Sequence, residues 1–137
     1  EELLHGSLNE IYIFDAQTLQ FVYCNDEALR NIGYDWEKLQ LLTPFDLKPK
    51  LDKHEFLDLL KQSREEGSCY FETIHRRQDE SDYNVLVSLR YATYRHDPVY
   101  VANISDITEL VSARQKFEKA KTHTEKFNRT ILTACSV

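Results

Sequence analysis

The stretch Val99-Tyr-Val-Ala-Asn-Ile-Ser-Asp-Ile-Thr108 decides the fold that we predict for this chain of 137 residues. It is rich in β-branched and aromatic residues up to Ser105, a composition that favours a strand. A long polar run with helical spacing follows directly from Glu109. A strand that leads straight into a long helix marks the place where a compact domain ends and an exit helix begins.

Four further strands are predicted before this one. Two short runs, Glu10–Asp15 and Phe21–Cys24, come first. The runs Tyr70–Arg77 and Tyr83–Thr93 follow later and are joined by the polar turn Gln78–Asp82. Because the connections between the last three strands are short, we expect them to form an antiparallel meander.

Short helices fill the middle of the chain. Asn25 is a good N-cap, and the helix after it ends at Gly33. A second short helix is predicted around Trp36 and Leu39, and Thr43-Pro44 is typical of the start of a third. Asp52 begins the longest of them, which runs to Gly67.

This order of elements resembles a PAS domain, over Leu8 to about Leu110. The resemblance depends on three motifs: Asn25…Ala28-Leu-Arg…Gly33-Tyr34, Phe71-Glu-Thr-Ile-His-Arg-Arg-Gln-Asp79 and Asp106-Ile-Thr-Glu109. It implies an α+β fold with a five-stranded antiparallel sheet, flanking short helices and a long C-terminal helix of coiled-coil type. Residues 1–9 would form a helical lead-in, residues 10–108 the PAS domain, and residues 109–137 a signalling helix that links to a following module.

One position departs from the family pattern. PAS domains usually carry Asp-Gly in the hairpin between the third and fourth strands, and here Glu80 follows Asp79. Glutamate adopts positive φ at a greater cost than glycine does. We therefore expect a change in local turn geometry and none in the fold.

The resemblance implies a ligand pocket between the sheet and the middle helices. Its candidate lining residues alternate along the last three strands, and Thr73, His75 and Tyr100 are the polar groups that could orient a ligand. Most of the set is apolar, so a filled core without a ligand is the alternative. The full set is Phe71, Thr73, His75, Val85, Val87, Leu89, Tyr100, Ala102 and Ile104.

The junction Asp106-Ile107-Thr108 is the candidate signal relay, with Asp106 and Thr108 as its functional residues. A heptad can be written after it, with one seam at Leu110, Phe117, Thr124 and Ile131 and the other at Ala113, Ala120, Phe127 and Ala134. Sustained a/d spacing favours a two-stranded coiled coil and hence a homodimer. The alternative is a lone amphipathic helix that packs on its own sheet.

The sequence disfavours heme and flavin. His54 corresponds to the heme-ligating histidine of heme-binding PAS domains, but it lies in a polar first turn. Light-oxygen-voltage domains carry a reactive cysteine in an Asn-Cys-Arg-Phe-Leu-Gln motif, and the matching region Leu42–Pro49 has none. We expect no metal, and either no cofactor or a small organic ligand.

Composition and motifs limit the other functions. The formal net charge of −6 disfavours nucleic acid and anionic membranes as partners, and no enzyme signature such as GxSxG, HExxH or a P-loop occurs. Three cysteines without CxxC spacing favour a reducing cytoplasm. We expect a non-enzymatic input module of a bacterial signalling protein, of the histidine kinase or diguanylate cyclase type, with an effector downstream in the same chain.

Overall fold

A computed structural model describes the backbone of residues 9–135 and the side chains of residues 9–122. The predicted helical lead-in over residues 1–9 falls almost wholly outside the described residues. The chain divides into two compact units, one that ends at Asp106 and one that starts at Ile107. This division lies two residues before the predicted boundary at residue 108.

The first unit is built on a five-stranded antiparallel sheet with the order β2-β1-β5-β4-β3. All five predicted strands are present, and the last three form the expected meander. The two short strands have the predicted bounds, whereas the three long strands extend one to two residues further at most of their ends. The strands are β1 (Glu10–Asp15), β2 (Phe21–Cys24), β3 (Ser68–Arg76), β4 (Asp82–Tyr94) and β5 (Asp97–Asp106).

Four helices lie between β2 and β3, as predicted from their caps. They are α1 (Asp26–Ile32), α2 (Trp36–Leu39), α3 (Pro44–Leu47) and α4 (Lys53–Glu66). Thr43 and Asp46 form a capping box around α3. The Asp52 side chain caps α4 by accepting a hydrogen bond from the His54 N–H.

Asn25 attaches α1 to the sheet. Its Oδ1 accepts hydrogen bonds from the backbone N–H of Ala28 and of Ile11, both at 3.0 Å, and its Nδ2 donates to the backbone oxygen of Asn9. One side chain therefore caps the helix and fixes the start of β1. This double role explains why an asparagine follows the second strand.

The core lies on the face of the sheet that the helices cover. Inward side chains alternate along the strands, as expected for a sheet with one covered face. Val101 and Asn103 point to the opposite face, as predicted. The fully buried aromatic residues of this core include Tyr12, Phe14, Phe56 and Tyr100.

The β3–β4 hairpin carries the predicted departure from the family pattern. Glu80 adopts φ 72°, the left-handed region in which glycine is favoured. The Asp79 carboxylate accepts hydrogen bonds from both the N–H and the hydroxyl of Ser81. The turn therefore forms with glutamate in the strained position, and the fold is unchanged.

Replacing Glu80 with glycine should raise the free energy of unfolding by about 0.5–1 kcal/mol, since glycine relieves the positive φ but is more flexible when unfolded. Urea denaturation of the variant and the wild type measures the difference. Glu80→Ala is the matched control, because alanine removes the charge and keeps the strain. An equal gain in both variants would attribute the effect to the charge.

The second unit is the helix α5, Thr108–Cys135. Leu110 and Phe117, two residues of the predicted heptad seam, are 55% and 67% exposed. The seam positions Thr124, Phe127, Ile131 and Ala134 lie outside the described side chains. The helix is confirmed, and its pairing as a coiled coil stays a prediction.

Candidate functional site

The predicted pocket residues share one face of β3, β4 and β5. His75, Val85, Val87, Leu89, Tyr100, Ala102 and Ile104 are buried, and Phe71 and Thr73 are half-buried. The register brings Phe71, Val87 and Ile104 into one row across the three strands. Thus the predicted set does form a common surface. Its role as a ligand pocket stays a prediction.

Aromatic rings fill the middle of this surface. Phe56, from α4, has its ring centroid 5.3 Å from that of Phe45 and 6.4 Å from those of Phe14 and Phe71. Its side chain is 1% exposed. Phe56 is therefore a main contact of α4 with the sheet, and Leu60 and Ser63 of the same helix are buried beside it.

The three predicted polar groups have different environments. The Tyr100 hydroxyl accepts a hydrogen bond of 2.5 Å from Arg64 of α4. Thr73 is half-buried beside the edge of the sheet. His75 is buried, and its Nε2 lies 2.7 Å from Nζ of Lys48, the residue that follows α3.

Burial dominates the electrostatics of the Lys48–His75 pair. Because the charged form is poorly solvated there, the pKa of Lys48 falls to about 7, although the nearby Glu10 carboxylate acts to raise it. Burial and the charge of Lys48 together hold the pKa of His75 well below its usual range. His75 Nδ1 is buried and has no hydrogen-bond partner among the described residues.

Glu10, the first residue of β1, is the centre of a second buried polar group. Its carboxylate accepts hydrogen bonds from the hydroxyls of Tyr12 (2.8 Å) and Tyr83 (2.8 and 2.9 Å) and from Nδ2 of Asn31 (3.3 Å). The Arg77 guanidinium stacks 4.0 Å above the Tyr83 ring. Burial raises the pKa of Glu10, and the tyrosine and asparagine donors oppose that rise.

A surface cleft of about 460 Å³ lies apart from the predicted pocket residues, beside the end of α1 and the β3–β4 hairpin. Its walls hold the end of that helix: Arg77 Nε donates to the Asn31 carbonyl at 2.9 Å, and the Gln78 N–H donates to the Ile32 carbonyl at 2.9 Å. The residues of the cleft therefore have a structural role, which is to join the hairpin to the end of α1. The residues that line it are Arg30, Asn31, Gly33, Arg77, Gln78 and Asp79.

Comparison with known proteins identifies the domain. A family model with the description “PAS domain” matches residues 9–109 of the chain. The chain belongs to the PAS domain family. PAS domains are sensory modules found generally in signalling proteins.

Solved structures with the same fold are distant in sequence. The PAS domain of an HTR-like protein from Haloarcula marismortui is 21% identical, with a TM-score of 0.66 over 77% of this chain and 86% of that one. A PAS domain from a two-component sensor histidine kinase is 19% identical, with a TM-score of 0.63 over 77% and 90%. One from Desulfitobacterium hafniense is 15% identical, with a TM-score of 0.62 over 77% and 99%. Among curated proteins, none matches the sequence.

The histidine that the PAS resemblance singles out for heme does not face the core. His54 lies in the first turn of α4 and is exposed, and its backbone N–H donates a hydrogen bond to the Asp52 carboxylate. The histidine buried on the inner face is His75. An iron centre on the inner face therefore does not fit His54. Within the described residues, no cluster of three or more His, Cys, Asp or Glu side chains could hold a metal ion.

Sequence reasoning missed several polar residues of this PAS core. Lys48 stands between Leu47 and Pro49 in a polar stretch, and nothing in its spacing indicates burial. Glu10 could have been found, because it precedes four apolar residues of its strand at the same alternation as Tyr12 and Phe14.

Lys48 should make the stability of the PAS domain rise with pH. An unfolded lysine keeps its proton to about 10.5, whereas Lys48 in the folded protein loses its proton at about 7. Between pH 7 and 9 the unfolded state binds more protons, so the contribution of Lys48 rises by at most about 1.4 kcal/mol per pH unit. Urea denaturation across this range should show the rise, and Lys48→Met should remove it.

Lys50→Met is the matched control, since Lys50 is exposed two residues further along the same segment. It should keep the pH dependence of the wild type. If the stability of Lys48→Met and of the wild type changed with pH in the same way, the lowered pKa of Lys48 would be contradicted.

Proposed function

We infer that this PAS domain is a sensory input module that binds a small ligand on the inner face of its sheet. The observation that carries the inference is His75 Nδ1, a buried polar atom without a protein partner among the described residues, on the face where the candidate pocket lies. Buried polar atoms are almost always hydrogen-bonded to protein, water or ligand. A ligand at this face would supply the hydrogen-bond partner that His75 Nδ1 lacks.

The relay that we propose runs through Asp106-Ile107-Thr108. Asp106 is the last residue of β5, Thr108 is the first of α5, and Ile107 is the single residue between them. Asp106 pairs with Val85 of β4, which is one of the pocket candidates. A ligand that shifts β4 and β5 can therefore act on the start of the helix. If the junction has two arrangements, the ligand can shift the helix between them only by as much as its affinity differs between the two.

The output that we propose is the pairing of α5 with α5 of a second copy. Leu110 and Phe117 recur seven residues apart and are largely exposed in the single chain, which supports a coiled-coil seam. The paired helices would pass the change to an effector domain in the same protein, of the histidine kinase or diguanylate cyclase type. In this proposal the domain has no enzymatic activity and no nucleic-acid partner, and it works in the cytoplasm.

Phe117→Glu should convert the dimer to monomer, because it places like charges opposite each other in a hydrophobic seam. Sedimentation velocity of the full 137-residue chain at several concentrations measures the change. Lys119→Glu is the control, since residue 119 is also exposed and lies outside the seam. Equal dimerisation of Phe117→Glu and the wild type would contradict pairing through α5.

A ligand-free dimerisation and interaction module is the second candidate. The observation that favours it is the Phe56 cluster, in which four phenylalanine rings pack together on the inner face. In this function the core is complete without a ligand and the domain only pairs chains.

Within the described residues, no helix is long and apolar enough to cross a membrane.

A further inference from the structure

Two buried bases contact each other on the inner face of the sheet. Lys48 is 7% exposed and His75 is 1% exposed, and Lys48 Nζ lies 2.7 Å from His75 Nε2. One hydrogen fits between two nitrogen atoms at this distance. The pair therefore shares one hydrogen bond, and both groups keep hydrogen-bonding capacity on their other positions.

With Lys48 protonated, the pair itself has more donors than acceptors. A protonated Lys48 has three N–H donors, and among the described residues His75 is its one hydrogen-bond partner. His75 Nδ1 has no partner there. The Glu10 carboxylate is already engaged by two tyrosine hydroxyls and by Asn31. A further acceptor is what the pair lacks.

The pair also lacks negative charge. Burial lowers the pKa of both bases, and Glu10 is the one acid that acts to raise the pKa of Lys48. A buried ammonium group is costly unless an anion pairs with it. An anion bound beside Lys48 would hold its proton and lower that cost.

The pair lies close to the edge of the sheet. His75 is on β3, one of the two edge strands of the sheet, and Phe71 and Thr73 on the same face of that strand are half-buried. Pro49, the residue after Lys48, is exposed. The pair therefore lies two to four residues along β3 from side chains that solvent partly reaches.

We propose that Lys48 and His75 bind the carboxylate of a small organic anion in this PAS domain. This proposal rests on the proposed sensory function and names the class of its ligand. A carboxylate only accepts hydrogen bonds and carries one negative charge, which are the two properties that the pair lacks. The remainder of the ligand would contact Phe71 and Thr73.

The test uses the full 137-residue chain and four named probes in isothermal titration. Propanoate and benzoate are the anions, and propanamide and benzamide are their neutral matches in shape. We expect the anions to bind at pH 6.5 at least about tenfold more tightly than the amides, as charge-assisted hydrogen bonds are worth more than neutral ones. Titration at pH 7 in two buffers of different ionisation enthalpy should show uptake of about half a proton, because Lys48 is half-protonated near pH 7.

Two variants locate the site. Lys48→Met keeps the length of the side chain without the charge and should lose at least about tenfold in anion affinity. Lys50→Met removes an exposed charge from the same segment and should bind as the wild type does. The affinity of the wild type should also fall with pH, approaching about tenfold per pH unit above pH 8, since only the protonated lysine binds the anion.

Three results would overturn the proposal: no binding of either anion at about 10 mM, equal binding of anions and amides, or unchanged anion binding by Lys48→Met. Proton uptake is measured on the wild type, so the proposal stays testable if Lys48→Met does not fold. Its failure differs from failure of the sensory function. Binding of the amides, or an uncharged molecule carried through purification, would overturn the carboxylate class and leave the pocket in place.

Discussion

Phe56→Ala should lower the free energy of unfolding by about 3–5 kcal/mol, which is the loss expected for a phenylalanine removed from a close-packed core. Phe56 is 1% exposed, and its ring contacts the rings of Phe14, Phe45 and Phe71. The four rings come from β1, α3, α4 and β3. Removing the one they share would leave a cavity where helix and sheet meet. Urea denaturation followed by circular dichroism measures the loss.

Leu57→Ala is the matched control for this effect. Leu57 is the next residue of α4, is 42% exposed and should cost less than about 1 kcal/mol. Similar losses in the two variants would show that Phe56 contributes no more to stability than an exposed leucine of the same helix. A Phe56→Ala variant as stable as the wild type would contradict the packed inner face.

Glu10→Ala should lower the free energy of unfolding by about 3 kcal/mol or more, because it removes the acceptor of a buried hydrogen-bonded group. The hydroxyls of Tyr12 and Tyr83 would stay buried without the oxygen atoms to which they donate. The same change withdraws the one charge that raises the pKa of Lys48. Denaturation at pH 7, with the fluorescence of Trp36 as a second probe, measures the effect.

Glu10→Gln and Glu37→Ala are the controls. Glutamine keeps an oxygen that can accept from one tyrosine, so it should cost about 1 kcal/mol. Glu37 is exposed in α2, and its loss should stay within about 0.5 kcal/mol. If Glu10→Ala were as mild as Glu37→Ala, the Glu10 group would contribute nothing to the fold.

The strands and caps of this domain were predictable because they depend on local chemistry. The alternation in Val85, Val87 and Leu89 is a property of the strand itself. Asn25 marks the start of α1 through a side chain that accepts a helix N–H, and Gly33 marks its end through a positive φ that glycine favours. The resemblance to the family then added that the five strands form one antiparallel sheet, which local patterns alone do not determine.

The polar part of the candidate site was harder to predict because it depends on contacts between distant residues. Lys48 and His75 are 27 residues apart in the chain, on either side of α4, and come together only in the tertiary fold. A lysine in a polar segment is usually exposed, since burial of its charge is costly. Glu10 and Tyr83 are 73 residues apart in the chain and likewise come into contact only in the tertiary fold. Such pairs are a property of the tertiary fold.

Native mass spectrometry of the full chain as purified from cells, repeated after denaturation, tests the central claim most directly. The claim is that the inner face of this PAS domain holds a small ligand. We predict extra mass that leaves on denaturation, and that is reduced in Lys48→Met but kept in Lys50→Met. A chain without extra mass, whose α5 pairing stays the same when candidate ligands are added, would contradict the claim and favour the interaction module.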